Sequence, residues 1–253
     1  MARSVSWPIA APLAVVLQLH LMLIGLISLS WNFVAMLLYP LLPRERGLRV
    51  GRAGIAYGYR AFWAIAQFTG MMKIDAGALD ALAHERGLII AANHPSLLDA
   101  LMLVARLPRS ACIMKAELMR NIFLGAGARL ARYIRNDSTR GMIRLAVADL
   151  RAGNQLILFP EGTRTTQSPI NPFRPGITLI SKLAKAPIQT VFIETDSPYL
   201  SKDWPLWKLP PLPIVFSVRL GQRFEPSQNT DELLHRLEDY FRAGMRRPPS
   251  SHS

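Results

Sequence analysis

Two short runs of residues carry the side chains in this chain that could perform chemistry. The first motif is Asn93-His94-Pro95-Ser96-Leu97-Leu98-Asp99, and the second motif is Phe159-Pro160-Glu161-Gly162-Thr163-Arg164. Each motif follows a short apolar run, at 88–92 and 156–158, that predicts a buried strand. Both motifs therefore stand just past the carboxyl ends of strands, where α/β folds place their ligand sites.

The first motif predicts a general base and a partner that orients it. Histidine can lose its proton near neutral pH, and Pro95 favours the first position of a helix. His94 would then lie at the start of the helix, and Asp99 in its first turn would accept a hydrogen bond from one ring nitrogen. Ser96 is too close in sequence to reach the imidazole, and no Gly-x-Ser-x-Gly elbow exists. We therefore expect the nucleophile to be a hydroxyl group brought by the substrate.

The second motif predicts a site for an anion. Glycine at 162 permits a sharp turn that exposes backbone N–H groups around Thr163, and Arg164 offers a planar fork that matches phosphate. Two roles are open for Glu161, which either holds Arg164 or binds a substrate hydroxyl. Arg135 is a second candidate for binding the same anion. We therefore expect residues 161–164, with Arg135, to bind an acidic substrate.

The elements that must position both motifs alternate between strand and helix patterns. This alternation predicts an α/β fold with a mostly parallel or mixed sheet flanked by helices, in one domain at 71–247. The predicted strands are at 71–75, 88–92, 110–114, 133–135, 155–159, 187–194 and 214–220. The predicted helices are at 96–107, 116–131, 139–152, 176–185 and 230–246, with a short polar helix before Gly87. A Pro-rich loop at 196–213 is either a rigid connector or a lipid-headgroup contact, and the tail at 248–253 is predicted to be disordered.

The N-terminus predicts a membrane anchor at 1–43. No Asp, Glu, Lys or Arg lies between Arg3 and Arg44. The stretch between Pro12 and Pro40 fits either one tilted transmembrane helix or a helical hairpin that turns near 28–32. The arginines that follow predict a cytoplasmic catalytic domain at a bacterial-type inner membrane. The basic and aromatic segment 44–70 is predicted to be membrane-proximal, in a helix that lies on the bilayer or packs against the core.

Composition limits the partners. The net charge is +13, and arginine supplies 24 of the 30 basic residues, so a polyanion is expected. Nucleic-acid-binding motifs are not visible in the sequence, and the uncharged N-terminus favours a lipid bilayer over nucleic acid. The lone Cys112 offers neither a disulfide framework nor a metal cluster, so we predict no metal site and a reducing compartment.

Taken together, the two motifs resemble those of the glycerolipid acyltransferase family, whose best-known members are the lysophosphatidic acid (1-acylglycerol-3-phosphate) acyltransferases. The resemblance covers roughly residues 71–220 and implies a glycerol-3-phosphate acyltransferase-like fold. It implies that His94 and Asp99 are the catalytic pair and that 161–164 binds the glycerol-phosphate part of the acceptor. Arg135 matches the arginine of the family's middle block. Segment 173–176 resembles the block after the second motif, with Arg174 where lysine is common.

The sequence therefore predicts a membrane-bound O-acyltransferase that uses no cofactor. It would move a fatty acyl group from acyl-carrier protein or acyl-CoA to the free hydroxyl of a lyso-glycerophospholipid. The first choice of acceptor is 1-acylglycerol-3-phosphate, which would give phosphatidic acid. Two alternatives are an acyltransferase for another lyso-lipid, such as lyso-ornithine lipid, and a non-enzymatic, membrane-tethered basic binding module.

Overall fold

The structure, a computed structural model, describes residues 7–245, so the predicted disordered tail lies outside the described residues. The helices are α1 (Trp7–Leu38), α2 (Arg44–Phe68), α3 (Asp99–Arg106), α4 (Gly125–Leu130), α5 (Thr139–Arg151), α6 (Gly176–Ala184) and α7 (Thr230–Met245). The strands are β1 (Met72–Asp75), β2 (Ile89–Ala92), β3 (Ser110–Lys115), β4 (Ile134–Asn136), β5 (Gln155–Leu158), β6 (Ile188–Thr195) and β7 (Ile214–Phe224). All seven predicted strands are present.

The strands form one mixed sheet in the order β1-β7-β6-β2-β5-β3-β4. The five strands from β6 to β4 are parallel to one another, while β7 is antiparallel to β6 and pairs in parallel with β1. The predicted α/β architecture is therefore confirmed. Because β2 and β5 are neighbours, the residues that follow them meet at the same edge of the sheet, which we call the carboxyl edge.

The central strands are buried on both faces, so their sequences are continuous apolar runs rather than alternating apolar and polar residues. Ile90, Ala92 and Ile157 face a core that α1, α2 and α3 cover. The alternate residues, Ile89 and Leu156 among them, face a second core that α5, α6 and α7 cover. The sheet therefore separates an α1–α2–α3 face from an α5–α6–α7 face.

The helix predicted at 116–131 is divided into two pieces. Residues Ala116–Arg120 form a 3₁₀ helix, and α4 begins only at Gly125. The Asn121 side chain accepts a hydrogen bond from the Phe123 N–H, a local turn that competes with helix formation. At Gly125 a Cβ atom would lie 2.5 Å from the Met119 carbonyl oxygen, so the turn requires glycine. Glycine itself disfavours a continuous helix.

The N-terminal segment forms one continuous helix, so the predicted turn near 28–32 is wrong. The apolar stretch Ala11–Leu38 is long and apolar enough to cross a membrane, with a mean hydropathy of 2.2. The chain reverses instead at residues 39–43, and α2 returns antiparallel to α1. Trp31 of α1 lies against Gly54 of α2, where a Cβ atom would lie 2.2 Å from the indole ring. This close helix contact is possible because residue 54 has no side chain.

Helix α2 packs one side against the core, which is one of the two arrangements predicted for segment 44–70. Phe62, Trp63 and Ala66 are buried among the residues on the α1–α2–α3 face of the sheet. Tyr57 and Phe68 remain exposed on the same helix. The aromatic residues that the sequence grouped together therefore divide between the core and the surface.

Arg52 is buried and holds three parts of the fold together. Its guanidinium donates to the backbone oxygens of Ala131 and Arg109 and binds both carboxylate oxygens of Asp149 at 2.9 Å. Burial raises the pKa of Asp149, and the charge and hydrogen bonds of Arg52 partly offset that shift. Arg52 is one of the arginines that follow the predicted anchor, and its role is structural.

We expect the substitution Arg52→Met to destabilise the fold by about 3–5 kcal/mol, because it leaves the Asp149 carboxylate buried without its cation. The measurement is chemical unfolding of the purified protein in detergent. The matched control is Arg106→Met, which breaks the exposed ion pair between Arg106 and Asp80 and should cost no more than about 1 kcal/mol. Equal losses for the two variants would contradict the structural role of Arg52.

Candidate active site

The two motifs are joined by hydrogen bonds at the carboxyl edge of the sheet. The His94 N–H donates to Glu161 Oε1 at 3.1 Å, and the Thr165 N–H donates to the His94 carbonyl at 2.8 Å. The first of these contacts connects residues that lie 67 positions apart in the chain. The backbone at His94 is therefore fixed by the second motif, as expected for two loops that follow neighbouring parallel strands.

His94 and Asp99 form the predicted pair. His94 Nδ1 lies 2.9 Å from Asp99 Oδ2, and the carboxylate is fully buried while the imidazole is 15% exposed. The imidazole also stacks on the Phe159 ring, with centroids 3.9 Å apart and planes at 16°. Because Nδ1 is bound to the carboxylate and the ring is held by Phe159, Nε2 is the nitrogen that remains available to a substrate.

The turn that carries this pair differs in detail from the prediction. Helix α3 begins at Asp99 itself rather than at Pro95, and the Ser96 N–H donates to Asp99 Oδ2 at 2.8 Å. Burial raises the pKa of Asp99, and its hydrogen bonds from His94 and Ser96 reduce that shift. Among the described residues, Asp99 Oδ1 has no hydrogen-bond partner. The carboxylate is thus held in place by the turn and directed at the imidazole.

The Ser96 hydroxyl and the Cys112 thiol are not placed as nucleophiles. Ser96 Oγ donates to the Tyr199 carbonyl at 3.0 Å and accepts from the Leu98 N–H, so it takes part in the turn. Cys112 is buried in β3, and burial raises the pKa of its thiol to about 12, which leaves the thiol protonated at neutral pH. This arrangement is consistent with a nucleophile that belongs to the substrate.

Glu161 is buried and takes part in the internal structure of the site rather than contacting Arg164. Oε1 accepts hydrogen bonds from the His94 N–H and from Thr165 Oγ1 at 2.8 Å, and Oε2 accepts from the Asn171 N–H at 2.8 Å. The prediction that Glu161 holds Arg164 is therefore wrong. The physical reason is that a buried carboxylate is satisfied by nearby N–H and O–H donors, which the folded loop supplies.

Gly162 forms the turn that the sequence predicts. Its φ is +70°, and its N–H donates to the Phe159 carbonyl at 2.9 Å. The Arg174 side chain lies directly against it, because a Cβ atom at position 162 would be 2.4 Å from Arg174 Nε. Thr163 is exposed beside this turn. Position 162 thus requires glycine for two reasons, namely its left-handed backbone conformation and the space that the Arg174 guanidinium occupies.

Arg164 is half-buried and binds the loop after β6. Its Nη1 donates to the carbonyl oxygens of Leu200 and Ser201, both at 2.9 Å. The Leu97 N–H in the first motif donates to the same Leu200 carbonyl at 3.0 Å. Arg164 therefore links the second motif, the loop after β6 and the first motif, and only part of its guanidinium is occupied by these bonds.

Arg135 lies on the edge strand β4, separated from β2 by β5 and β3. Three strand spacings of about 4.8 Å place it roughly 14 Å from β2 across the sheet. Its side chain is 62% exposed, and its Nε binds Asp137 at 2.9 Å. The structure thus places Arg135 near the end of an edge strand and does not bring it together with the other site residues. A role for Arg135 in binding stays a prediction.

Two features of the site were missed by sequence reasoning. Asn93 is buried, and its side-chain amide bonds to both the N–H and the carbonyl of Ile193, which attaches the first motif to β6. The segment 197–201 of the Pro-rich loop accepts hydrogen bonds from Ser96, Leu97 and Arg164. The position of Asn93 directly after a buried strand was an available signal, whereas the role of the loop was visible only after folding.

The sequence and the fold were compared with those of known proteins. Residues 73–194, which contain both motifs, match the family model described as Acyltransferase. This match identifies residues 73–194 as an acyltransferase domain. The His94–Asp99 pair and the second motif thus lie in an acyltransferase domain, and the alternative of a non-enzymatic binding module is not supported.

The fold of this acyltransferase is similar to that of a solved structure, the 1-acyl-sn-glycerophosphate (LPA) acyltransferase PlsC from Thermotoga maritima. The TM-score is 0.67 at 19% sequence identity, and the match covers 94% of this chain and 97% of that one. The likeness includes α1 and α2 as well as the matched domain, because it extends over nearly the whole chain. No curated protein matches the sequence.

Proposed function

We propose that this acyltransferase moves a fatty acyl group from a thioester donor to the free hydroxyl of a lyso-glycerophospholipid, with 1-acylglycerol-3-phosphate as the acceptor and phosphatidic acid as the product. The donor is acyl-carrier protein or acyl-CoA. The observation that supports this proposal most strongly is the His94–Asp99 pair, at 2.9 Å, in a site whose Ser96 hydroxyl already donates to the Tyr199 carbonyl.

In the proposed reaction, Nε2 of His94 removes the proton from the acceptor hydroxyl as its oxygen attacks the thioester carbonyl. Asp99 keeps the imidazole in the tautomer that has its proton on Nδ1 and stabilises the imidazolium that forms. Backbone N–H groups stabilise the tetrahedral oxyanion. When the intermediate collapses, the thiolate of the donor leaves and takes the proton from His94.

The acceptor phosphate is proposed to bind at the second motif. Arg164 has donors beyond the single nitrogen that contacts the loop, and the guanidinium of Arg174 lies over the Gly162 turn. Two guanidinium groups beside an exposed glycine turn suit a phosphate that carries two negative charges. Such positioning holds the acceptor hydroxyl close to His94 and makes the attack effectively intramolecular.

We expect Arg164→Ala to raise the KM for 1-acylglycerol-3-phosphate by about 10–100-fold, because hydrogen bonds to a charged group contribute about 1.5–3 kcal/mol. The measurement is initial rate against acceptor concentration at saturating donor. The matched variant is Arg174→Ala, which tests the exposed guanidinium that makes no contact with Leu200 or Ser201. An unchanged KM with a lowered melting temperature in Arg164→Ala would restrict Arg164 to holding the loop.

Attachment to a membrane through α1 is part of the same proposal. Most of the exposed large apolar side chains of α1 recur at helical spacing and so share one face of the helix, namely Val15, Leu19, Met22, Leu26, Leu29, Phe33, Met36 and Leu37. The opposite side of α1 buries Leu17 in the core. Because α2 and the domain lie alongside α1, we infer that this face of α1 enters one leaflet of the membrane. In this arrangement α1 does not span the bilayer.

The Pro-rich loop lies beside this apolar face. The Gln18 side chain of α1 donates to the Leu206 carbonyl, and Trp207 next to it is 82% exposed. Trp204 packs against the core with Lys208 over its ring. An exposed tryptophan at this position suits the interface between lipid and water. The loop thus combines the two roles considered for it, since its first part supports the site and its tip is proposed to contact headgroups.

A transfer assay with defined acceptors tests the proposed reaction directly. The purified protein in lipid vesicles would be given labelled acyl donor with 1-acylglycerol-3-phosphate, other lyso-phospholipids or lyso-ornithine lipid. We expect the fastest transfer to the phosphate monoester. Faster transfer to an acceptor without phosphate would overturn the assignment of the acceptor while leaving the acyltransferase chemistry intact.

A further inference from the structure

A groove on the α5–α6–α7 face has a composition that the proposed reaction does not explain. It has a volume of about 550 Å³ and runs between α5 and α6. Its apolar walls are Ile143 and Val147 on α5 and Leu179 and Leu183 on α6. Leu179 and Leu183 are 37% and 42% exposed, and they share one face of α6 because they lie one helical turn apart.

Arginines form the rim of this groove. Arg140, Arg144 and Arg151 line it from α5, and none of the described residues that line it is acidic. Arg140 and Arg144 are exposed and form no ion pair among the described residues. The acidic residue of α5, Asp149, points to the other side, where Arg52 binds it. The positive charge of the groove is therefore not balanced within the described part of the protein.

The dimensions of the groove fit a helix. From Arg140 to Arg151 the arginines extend over 12 residues of α5, or roughly 17 Å at about 1.5 Å rise per residue, which is about three helical turns. An apolar floor between two packed helices, with charges along its edge, is the arrangement that binds an amphipathic helix. Charge complementarity requires that this helix carry acidic side chains.

The location of the groove favours a soluble partner over the lipid surface. The sheet separates α5 and α6 from α1, whose exposed apolar face is proposed to enter the membrane. A surface on the opposite face cannot lie on the same bilayer at the same time. The groove is also close to the site, since α6 begins at Gly176, two residues after the Arg174 whose side chain lies against Gly162.

We propose that the α5–α6 groove docks an acidic helix of a soluble acyl-carrier protein and thereby delivers the acyl thioester to His94. This inference rests on the proposed function and specifies its donor. The arginines speed association by attracting the acidic carrier, and the apolar floor holds the docked helix. The thioester arm then enters the site from the carboxyl edge, where α5 and α6 begin.

The test compares two donors on one variant. In Arg140→Glu with Arg144→Glu, we expect the KM for acyl-carrier protein to rise by at least about tenfold. The kinetics with acyl-CoA should be unchanged, because its thioester does not need the groove. Arg151 is left in place, since its Nη2 donates to the Leu183 carbonyl and supports the packing of α6. The matched control is Arg236→Glu, which reverses the charge of an exposed arginine on α7. It should leave the kinetics with both donors unchanged.

Every other outcome has a definite meaning. Equal losses with both donors, unchanged kinetics with both, or no use of acyl-carrier protein by the wild-type protein would overturn the docking proposal. Reduced binding of the variant to anionic phospholipid vesicles, with unchanged carrier kinetics, would assign the groove to the membrane instead. If wild-type protein transfers acyl groups from neither donor, the proposed function fails. Direct titration with acyl-carrier protein, which should weaken in 0.5 M salt on the order of tenfold or more, would still test the docking surface.

Discussion

The substitution His94→Ala is expected to lower acyl transfer by about 10²–10⁴-fold, which is the usual contribution of a positioned general base. The reason is that Nε2 is the only imidazole nitrogen of this residue that Asp99 leaves available to the acceptor hydroxyl. The measurement is the initial rate of transfer to 1-acylglycerol-3-phosphate in vesicles that contain equal amounts of variant and wild-type protein.

Two controls separate the chemistry of His94 from its packing. His94→Gln keeps much of the volume that stacks on Phe159, and it should lose activity as severely as His94→Ala while it melts closer to the wild-type protein. His84→Ala removes an exposed histidine outside the site and should leave the rate unchanged. Activity of His94→Ala within a few-fold of wild type would refute the proposed mechanism.

The substitution Asp99→Asn is expected to remove activity without removing stability. An amide cannot hold the imidazole in the required tautomer or stabilise its charged form, and in a comparable His–Asp pair this change costs about 10⁴-fold in rate. Asp99 is fully buried, and burial raises the pKa of its carboxyl group. The ionised carboxylate therefore costs stability at neutral pH, so the melting temperature of Asp99→Asn at pH 7 should be equal to or higher than that of the wild-type protein.

The raised pKa of Asp99 also fixes the direction of the pH dependence. Activity requires the ionised carboxylate, so it should be present at neutral pH and decline as pH falls, and the decline should begin at a higher pH than an exposed aspartate would give. The stability advantage of Asp99→Asn should shrink over the same fall in pH, because the wild-type carboxyl becomes neutral. A clear loss of stability in Asp99→Asn at pH 7 would instead identify Asp99 as a structural residue.

The strands were predicted well because the central strands are buried on both faces and their apolar runs are short and bounded by loops. The runs before His94 and Phe159 became β2 and β5, and the alternation of strands and helices predicted the mixed sheet. The helix predicted across 116–131 was less accurate, because Asn121 and Gly125 form a turn whose contacts are with nearby backbone. Such local competition is weakly visible in a hydrophobic pattern.

The N-terminal arrangement illustrates a different limit. The absence of charge between Arg3 and Arg44 predicted an apolar helix, and length alone allowed both a span and a hairpin. Which of these forms depends on what packs beside the helix. Glycines at 54 and 58 of α2 allow α1 to approach closely, and this contact made one long hairpin with its turn at 39–43.

By itself, the sequence determined the chemical groups of this protein, namely a histidine with a carboxylate five residues later, a glycine turn with arginines, and an uncharged N-terminal helix. Residue types and short spacings are enough to identify these groups, because the residues of each group belong to one turn or to the end of one strand. Tertiary structure alone decided that Glu161 supports the backbone of His94, that Arg164 binds the loop after β6, and that Arg135 lies three strands away. The order of strands in the sheet sets these distances, and hydrogen bonds between distant segments satisfy the buried polar groups.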